Sequence, residues 1–398
     1  MERIYLDHAA TTPVDPRVAE AMLAVLTDNW GNPSSIYREG QRARATLDGA
    51  RREVAELLGA RPGEIVFTGG GSEADNLALR GAIALSGTRR HIVTTAIEHH
   101  AILHTCERLA REGCDVTFLP VDAEGFVTPE QVADAVREDT ALVSVMLVNN
   151  EVGTIEPVGA IARAVKAKNA ATLVHTDAVQ AGGTLPIDVQ DLGVDLLTLA
   201  AHKIYGPKGT GLLYVREGVR LQSQILGGSQ EHDLRAGTEN VAGAVGLATA
   251  LRLATNELES RAAHAARLRD RLLDEIPSRI PHCIITGPQD GDRRAPQTAS
   301  FGFAYIEGEA LLLMLDLGGI AASSGSACTT GSLEPSHVLV AMGVPEDYQR
   351  ASLRLSVGTD NTDAQIDRLL ELLPGYVDRL RALSPLGPDT PRPEMLRA

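Results

Sequence analysis

Leu196-Leu197-Thr198-Leu199-Ala200-Ala201-His202-Lys203 is an apolar run that ends on a histidine and a lysine, then turns through Tyr205-Gly206-Pro207-Lys208-Gly209. An apolar run this short, without polar alternation, reads as a strand covered on both faces. That is the strand of a parallel sheet between helices. The lysine at its end is the informative residue. Burying an ammonium is costly, and burial lowers its pKa, which suits a lysine that forms Schiff bases. The alternative is a lysine that reaches solvent at the strand end.

Outward from this run, short β-branched segments alternate with helical patterns from about Glu64 to Val215. Strands are expected at 65–68, 91–97, 115–119, 141–148, 172–177, 194–200 and 211–215, with helices from Glu73 and at 100–111, 129–138 and 158–168. Thr128-Pro129-Glu130-Gln131 places Thr at an N-cap and Pro at the first helical position. Such alternation predicts an α/β fold with a largely parallel sheet. Residues 240–276 read as one long helix or two joined ones, and the charged stretch Asn256–Arg271 as a solvated linker. After the loop at 287–297 a second, smaller α/β unit is expected: strands 298–304, 320–324 and 352–357, helices 308–317, 335–342 and 362–373. The tail after Ser384 reads as frayed.

The composition excludes several classes. The chain has 398 residues, 44% hydrophobic and 22% charged, enough apolar content for a sizeable core of two or three domains, or one large and one small. No apolar run approaches the ~20 residues of a membrane span, and Met1-Glu2-Arg3 opens no signal peptide, so the chain reads as cytosolic. The net charge of −15 argues against broad nucleic-acid binding. Four cysteines, Cys106, Cys114, Cys283 and Cys328, are separated by 8, 169 and 45 positions, which fits neither a zinc site nor a disulfide framework.

Five further segments carry chemistry. Leu173-Val174-His175-Thr176-Asp177 ends a strand on an acid, and a buried carboxylate needs a cationic partner or several donors. The pyridinium nitrogen of pyridoxal phosphate (PLP) is such a partner, and N-capping of a following helix is the alternative. Gly69-Gly70-Gly71-Ser72-Glu73, between a strand and a helix, suits a phosphate. Glu98-His99-His100 follows a strand, and a flat imidazole there can stack on a ring or move protons. Arg354, inside Leu353-Arg354-Leu355-Ser356, can clamp a carboxylate or simply face outward. Ser323-Ser324-Gly325-Ser326-Ala327-Cys328-Thr329-Thr330-Gly331-Ser332 is made of small residues around one thiol. It reads as a loop presenting Cys328, whereas the other three cysteines fit packing or surface positions.

Taken in this order, the segments resemble the cysteine desulfurases of the NifS/IscS class, fold-type I PLP enzymes related to class V aminotransferases. The likeness spans nearly the whole chain, from Tyr5-Leu6-Asp7-His8-Ala9-Ala10-Thr11-Thr12 to Leu380-Arg381-Ala382-Leu383-Ser384-Pro385-Leu386. Ser324-Gly325-Ser326-Ala327-Cys328, Ala201-His202-Lys203-Ile204-Tyr205-Gly206-Pro207-Lys208-Gly209 and Arg235-Ala236-Gly237-Thr238-Glu239-Asn240 are its most specific parts. The resemblance implies a large PLP-binding domain at 14–257, with a mostly parallel seven-stranded sheet. Residues 1–13 and 258–398 would form a smaller α/β domain carrying the cysteine loop. It implies a Schiff base at Lys203, Asp177 at the ring nitrogen, Gln180 at the phenolic oxygen and His99 stacked on the ring. Gly71, Ser72 and His202 would bind the phosphate. Thr238 would reach the site of a second subunit of a homodimer. Arg354 and Asn150 would hold the carboxylate of L-cysteine, with Asn150 also near the cofactor. Cys328 would become a persulfide and pass its sulfur to an acceptor protein, for iron–sulfur cluster assembly or nucleic-acid thio-modification. The loop around Cys328 resembles that of the longer-loop subclass.

The chain departs from the family pattern at Ala200, where Ser is usual at the phosphate, at Gly69 and Ser72 in the phosphate loop, at Asp233, often Gly, and at His8. Ala200 in particular implies weaker PLP retention. Rival readings are a selenocysteine lyase or sulfide-releasing β-lyase, an aminotransferase, and a non-catalytic scaffold. Neither membrane nor direct nucleic-acid partners are expected.

Overall fold

The computed structural model describes residues 3–325, 335–385 and 387. All seven expected strands of the first unit form one sheet, in the order Ile65–Thr68, Gly211–Val215, Leu196–Ala200, Leu173–Asp177, Thr140–Ser144, His91–Thr95, Asp115–Leu119. Only Gly211–Val215 runs against its neighbours; the rest of the sheet is parallel. The apolar runs are explained by two covered faces. Successive residues of a strand point to opposite sides. Val66, Ile92, Leu142, Leu196 and Leu213 pack with the helices Gly71–Ala84 and His100–Arg111. Ile65, Phe67, Val93, Val143, Leu197 and Leu212 pack with the helices Arg38–Leu57, Val158–Lys168 and Val241–Asn256.

The second unit centres on an antiparallel sheet of Cys283–Ile285, Thr298–Phe303 and Ser352–Ser356. The strand Ile4–Tyr5 pairs in parallel with Ile320–Ala321 beside it. The stretch 240–276 is two helices, Val241–Asn256 and Leu258–Arg279, joined at Glu257. The second is not a solvated linker. Its charges cover one side, while Ala265, Leu268, Leu272, Leu273 and Ile276 join Phe301, Phe303 and Leu353 in the core. The last helix runs Asp363–Leu383, beyond the expected end at 373, through Pro374. Among the described residues no helix is long and apolar enough to cross a membrane.

Two long helices, Pro16–Asp28 and Arg38–Leu57, escaped the sequence reading, as did the single turns Val189–Leu192 and Glu346–Gln349. The helix Arg38–Leu57 buries Gly40, Ala43, Leu47, Ala50 and Val54, a stripe at helical spacing made mostly of small residues. Its Arg51 is buried, donating to Glu231 at 2.8 and 2.7 Å and to the Ile65 carbonyl at 2.6 Å. Glu231 opens a run of three left-handed residues, with φ of 47° at Glu231, 58° at His232 and 65° at Asp233. Side chains are unfavourable there, by roughly 1–2 kcal/mol each in regular left-handed helix, which is why glycine suits position 233. The ion pair and the bond from the Phe67 amide to Glu231 (2.8 Å) hold the run in place. Glu231→Ala, which strands Arg51 as a buried unpaired charge, is expected to cost about 3–5 kcal/mol. A urea midpoint unchanged from wild type would contradict this.

Candidate active site

Ligand sites in open α/β sheets lie at the carboxyl ends of the strands, and the sheet places its polar residues there. Thr198 pairs with Asp177 across neighbouring parallel strands. Five residues on, Lys203 closes a short 3-10 turn, Ala201–Lys203. The amino-terminal segment crosses over this point. Lys203 Nζ donates to the Ala9 and Ala10 carbonyls, at 2.5 and 2.8 Å. The Thr12 amide returns a bond to the His202 carbonyl at 3.0 Å, and His202 Nδ1 lies 3.1 Å from Thr11 Oγ1. Gln180 Nε2 donates to the same Ala9 carbonyl at 2.9 Å. Lys203 is thus half-buried against backbone rather than reaching solvent at the strand end.

Nine of the eleven residues named from the sequence line one cavity of about 310 Å³. Gly71 and Ser72 open a helix whose first amides have no partner within the helix. A Cβ at Gly71 would lie 3.0 Å from Val179 Cγ2, so this end of the cavity is shaped by the missing side chain. His202 and Ala200 lie alongside. At the other end Arg354 is 2% exposed, so it does not face outward. It donates to the Asn150 backbone carbonyl at 2.6 Å, the Gly325 carbonyl at 3.3 Å and Asp7 at 2.8 Å. Its Nε is buried and has no hydrogen-bond partner among the described residues, an open donor for a carboxylate. Thr238 does not line this cavity and is exposed. Cys328 lies outside the described residues.

The chain matches the model of the aminotransferase class-V family over residues 4–369. The chain belongs to that family. The cysteine desulfurase IscS of Clostridium botulinum is 49% identical over 389 residues, 98% of each chain. Among solved structures, a NifS-like protein superposes with a TM-score of 0.89 at 40% identity, over 95% of this chain and 100% of its own. A structure described as SspA in complex with cysteine has a TM-score of 0.78 at 35% identity, over 90% and 100%.

Within this class-V cavity, Asp177, Asp75 and His99 each place one polar atom within 4.8 Å of the other two. Burial pushes Asp177 up to about 6, against the opposing Val179 amide (2.9 Å to Oδ1) and the Lys203 charge. That amide belongs to a turn, so Asp177 caps no helix. Burial also depresses His99 to about 4, aided by the Lys203 ammonium, and His202 to about 4 for the same two causes. Asp75 escaped the sequence reading. It is held well above the usual carboxylate range by burial first and by Asp177 second, and its Oδ1 has no hydrogen-bond partner among the described residues. An acid among Ala74, Leu77, Ala78 and Leu79 on a helix facing the sheet was the available signal. His337, donating from Nε2 to the Glu98 carbonyl at 3.0 Å, also lines the cavity.

The departures from the family pattern have local causes. Gly69 lets Glu73 approach closely: a Cβ would lie 2.6 Å from Glu73 Oε2, which accepts from the Gly69 amide and belongs to a carboxylate bound to Arg235. His8 packs where Gly358 has no side chain; a Cβ there would overlap its ring.

His99 and His202 are bases with depressed folded values. Unfolding therefore binds protons as pH falls from about 6.5 towards 4, and stability drops in that window. NMR titration of the protein is expected to leave the His99 ring neutral until about pH 4. A midpoint near 6.5 would contradict the burial argument.

Proposed function

We propose a PLP-dependent cysteine desulfurase that takes sulfur from L-cysteine, releases L-alanine, and carries the sulfur as a Cys328 persulfide to an acceptor protein. The observation that carries this reading is the convergence of Lys203, Asp177 and His99 in one buried cavity. The IscS relative and the neighbouring structure with bound cysteine support the substrate. A phosphorylated pyridine aldehyde suits the donors: an amine at Lys203, a carboxyl at Asp177, and a helix start with Ser72 and His202 for the phosphate. Residues 14–257 would hold it, and 1–13 with 258–398 would complete the site, in keeping with the separate core of the smaller sheet. Thr238, exposed in one chain, would complete the site of a second copy.

Bound PLP supplies a carbonyl for Schiff-base chemistry and a ring that accepts an electron pair. Asp177 Oδ, as carboxylate, would keep the ring nitrogen protonated, and Gln180 Nε2 would turn from Ala9 to the phenolic oxygen. Arg354 Nε would orient the substrate carboxylate. Lys203 Nζ, displaced by the substrate amine, would take the α-proton. Neutral His99 would accept or return a proton beside the ring. The Cys328 thiolate would attack the substrate sulfur: an Sγ–S bond forms, the Cβ–S bond breaks, and the electron pair passes to Cβ, which gains a proton to become the alanine methyl. The acceptor would serve iron–sulfur cluster assembly or nucleic-acid thio-modification, and the chain's net charge of −15 favours a basic partner.

Lys203→Ala is expected to abolish the visible Schiff-base band of the purified enzyme; a band of wild-type strength would refute its role. Cys328→Ala should stop L-alanine release from L-cysteine, whereas unchanged release would favour a selenocysteine-lyase type of reaction that does not use this thiol, and sulfide with pyruvate in place of alanine would favour a β-lyase. Ala200→Ser adds a phosphate donor and is expected to tighten PLP binding about three- to tenfold. An equal dissociation constant would show that position 200 does not reach the phosphate.

A further inference from the structure

Both described flanks of the segment 326–334 meet one buried carboxyl group. Glu151 is 4% exposed. Its backbone is fixed by the bond from its amide to Asn149 Oδ1 (2.9 Å), and Asn149 in turn donates to the Ile97 carbonyl (2.9 Å). On one side, Ser336 Oγ donates to Glu151 Oε2 at 2.5 Å. The same Ser336 oxygen accepts from the Val338 and Leu339 amides and so caps the helix His337–Ala341. On the other side is Gly325, with φ of +89°. A Cβ there would lie 3.0 Å from Glu151 Oε2 and 3.4 Å from Glu151 Cβ. Gly325 is fixed further by Arg354, which donates to its carbonyl, and Ser324 by Ser352 Oγ, which donates to its carbonyl at 2.7 Å.

A carboxyl is a costly group to bury, and among the described residues its side chain has one hydrogen-bond partner, the Ser336 hydroxyl. Burial raises the pKa of Glu151, against the Ser336 bond and the Arg354 charge. What the group achieves is a common neighbour: it accepts from Ser336 after 326–334 and packs closely against Gly325 before it, on the wall of the cavity that also holds Lys203. Fixing the two ends of a short segment removes conformations that any group within it would otherwise sample.

We propose that Glu151 is a positioning residue for the sulfur-transfer step. By bonding Ser336 and packing against Gly325, it would govern delivery of Cys328 to substrate while leaving proton abstraction by Lys203 untouched. This rests on the desulfurase reading above.

The test uses holoenzyme and two readouts. Exchange of the L-alanine α-proton in D2O reports Lys203 and cofactor alone. Transfer of labelled sulfur from L-cysteine to Cys328 reports delivery. Glu151→Ala is expected to exchange within about twofold of wild type but to label at least about tenfold more slowly, the loss of one buried hydrogen bond to a charged group. Glu151→Gln keeps an acceptor for the Ser336 hydroxyl and should recover most of the labelling rate. Ser336→Ala, which removes a single oxygen and spares the core, should behave like Glu151→Ala and keeps the test decisive if that variant misfolds. Wild-type labelling in both Glu151→Ala and Ser336→Ala, or exchange and labelling falling in parallel, would overturn the proposal. A wild-type enzyme that never labels at Cys328 would overturn the desulfurase reading and this inference with it.

Discussion

One guanidinium holds the site together. Arg354 stands on the middle of a buried strand of the smaller sheet and bonds to three chain segments: Asp7 near the amino terminus, Asn150 beyond a strand of the large sheet, and Gly325 before the cysteine-bearing run. A buried charge must be paired, so these segments converge on Arg354 or the fold carries a large penalty. Their convergence closes the cavity. The amino-terminal segment, held at Asp7, lays the Ala9 and Ala10 carbonyls over Lys203.

The electrostatics of the cavity follow from the same closure. Burial is the leading cause of the shifts at His99, His202, Asp177 and Asp75. Two histidines stay neutral, and two carboxyls within 4.8 Å of each other hold onto protons more firmly than in water. Under the proposed function, a cationic ring nitrogen would be the kind of partner that such a pair favours.

Much of this was legible in the sequence, and the reasons differ by element. The interior strands of the large sheet were readable because burial on both faces leaves mostly apolar runs, and Lys203 and Asp177 stand out near their ends, whereas the edge strand Asp115–Leu119 is partly exposed. The helix Arg38–Leu57 was not, since its buried stripe relies on Gly and Ala among arginines, and its packing partner Val241–Asn256 lies two hundred residues away. The alternation around Arg354 showed a strand but not its direction: taken alone the residue favoured solvent over the cavity, and the bonds to Asp7, Asn150 and Gly325 turn it inward. The extra acid, Asp75, was visible as a charge on an apolar helix face, although its meaning depends on Asp177 from a strand a hundred residues on.

The central claim is that sulfur leaves L-cysteine onto a single thiol of this chain. Peptide mass spectrometry after brief exposure of the holoenzyme to L-cysteine tests it most directly. The account predicts one added sulfur atom on the peptide containing Cys328, with L-alanine formed in equal amount, and none on Cys106, Cys114 or Cys283. Free sulfide in that amount with Cys328 unmodified would contradict it.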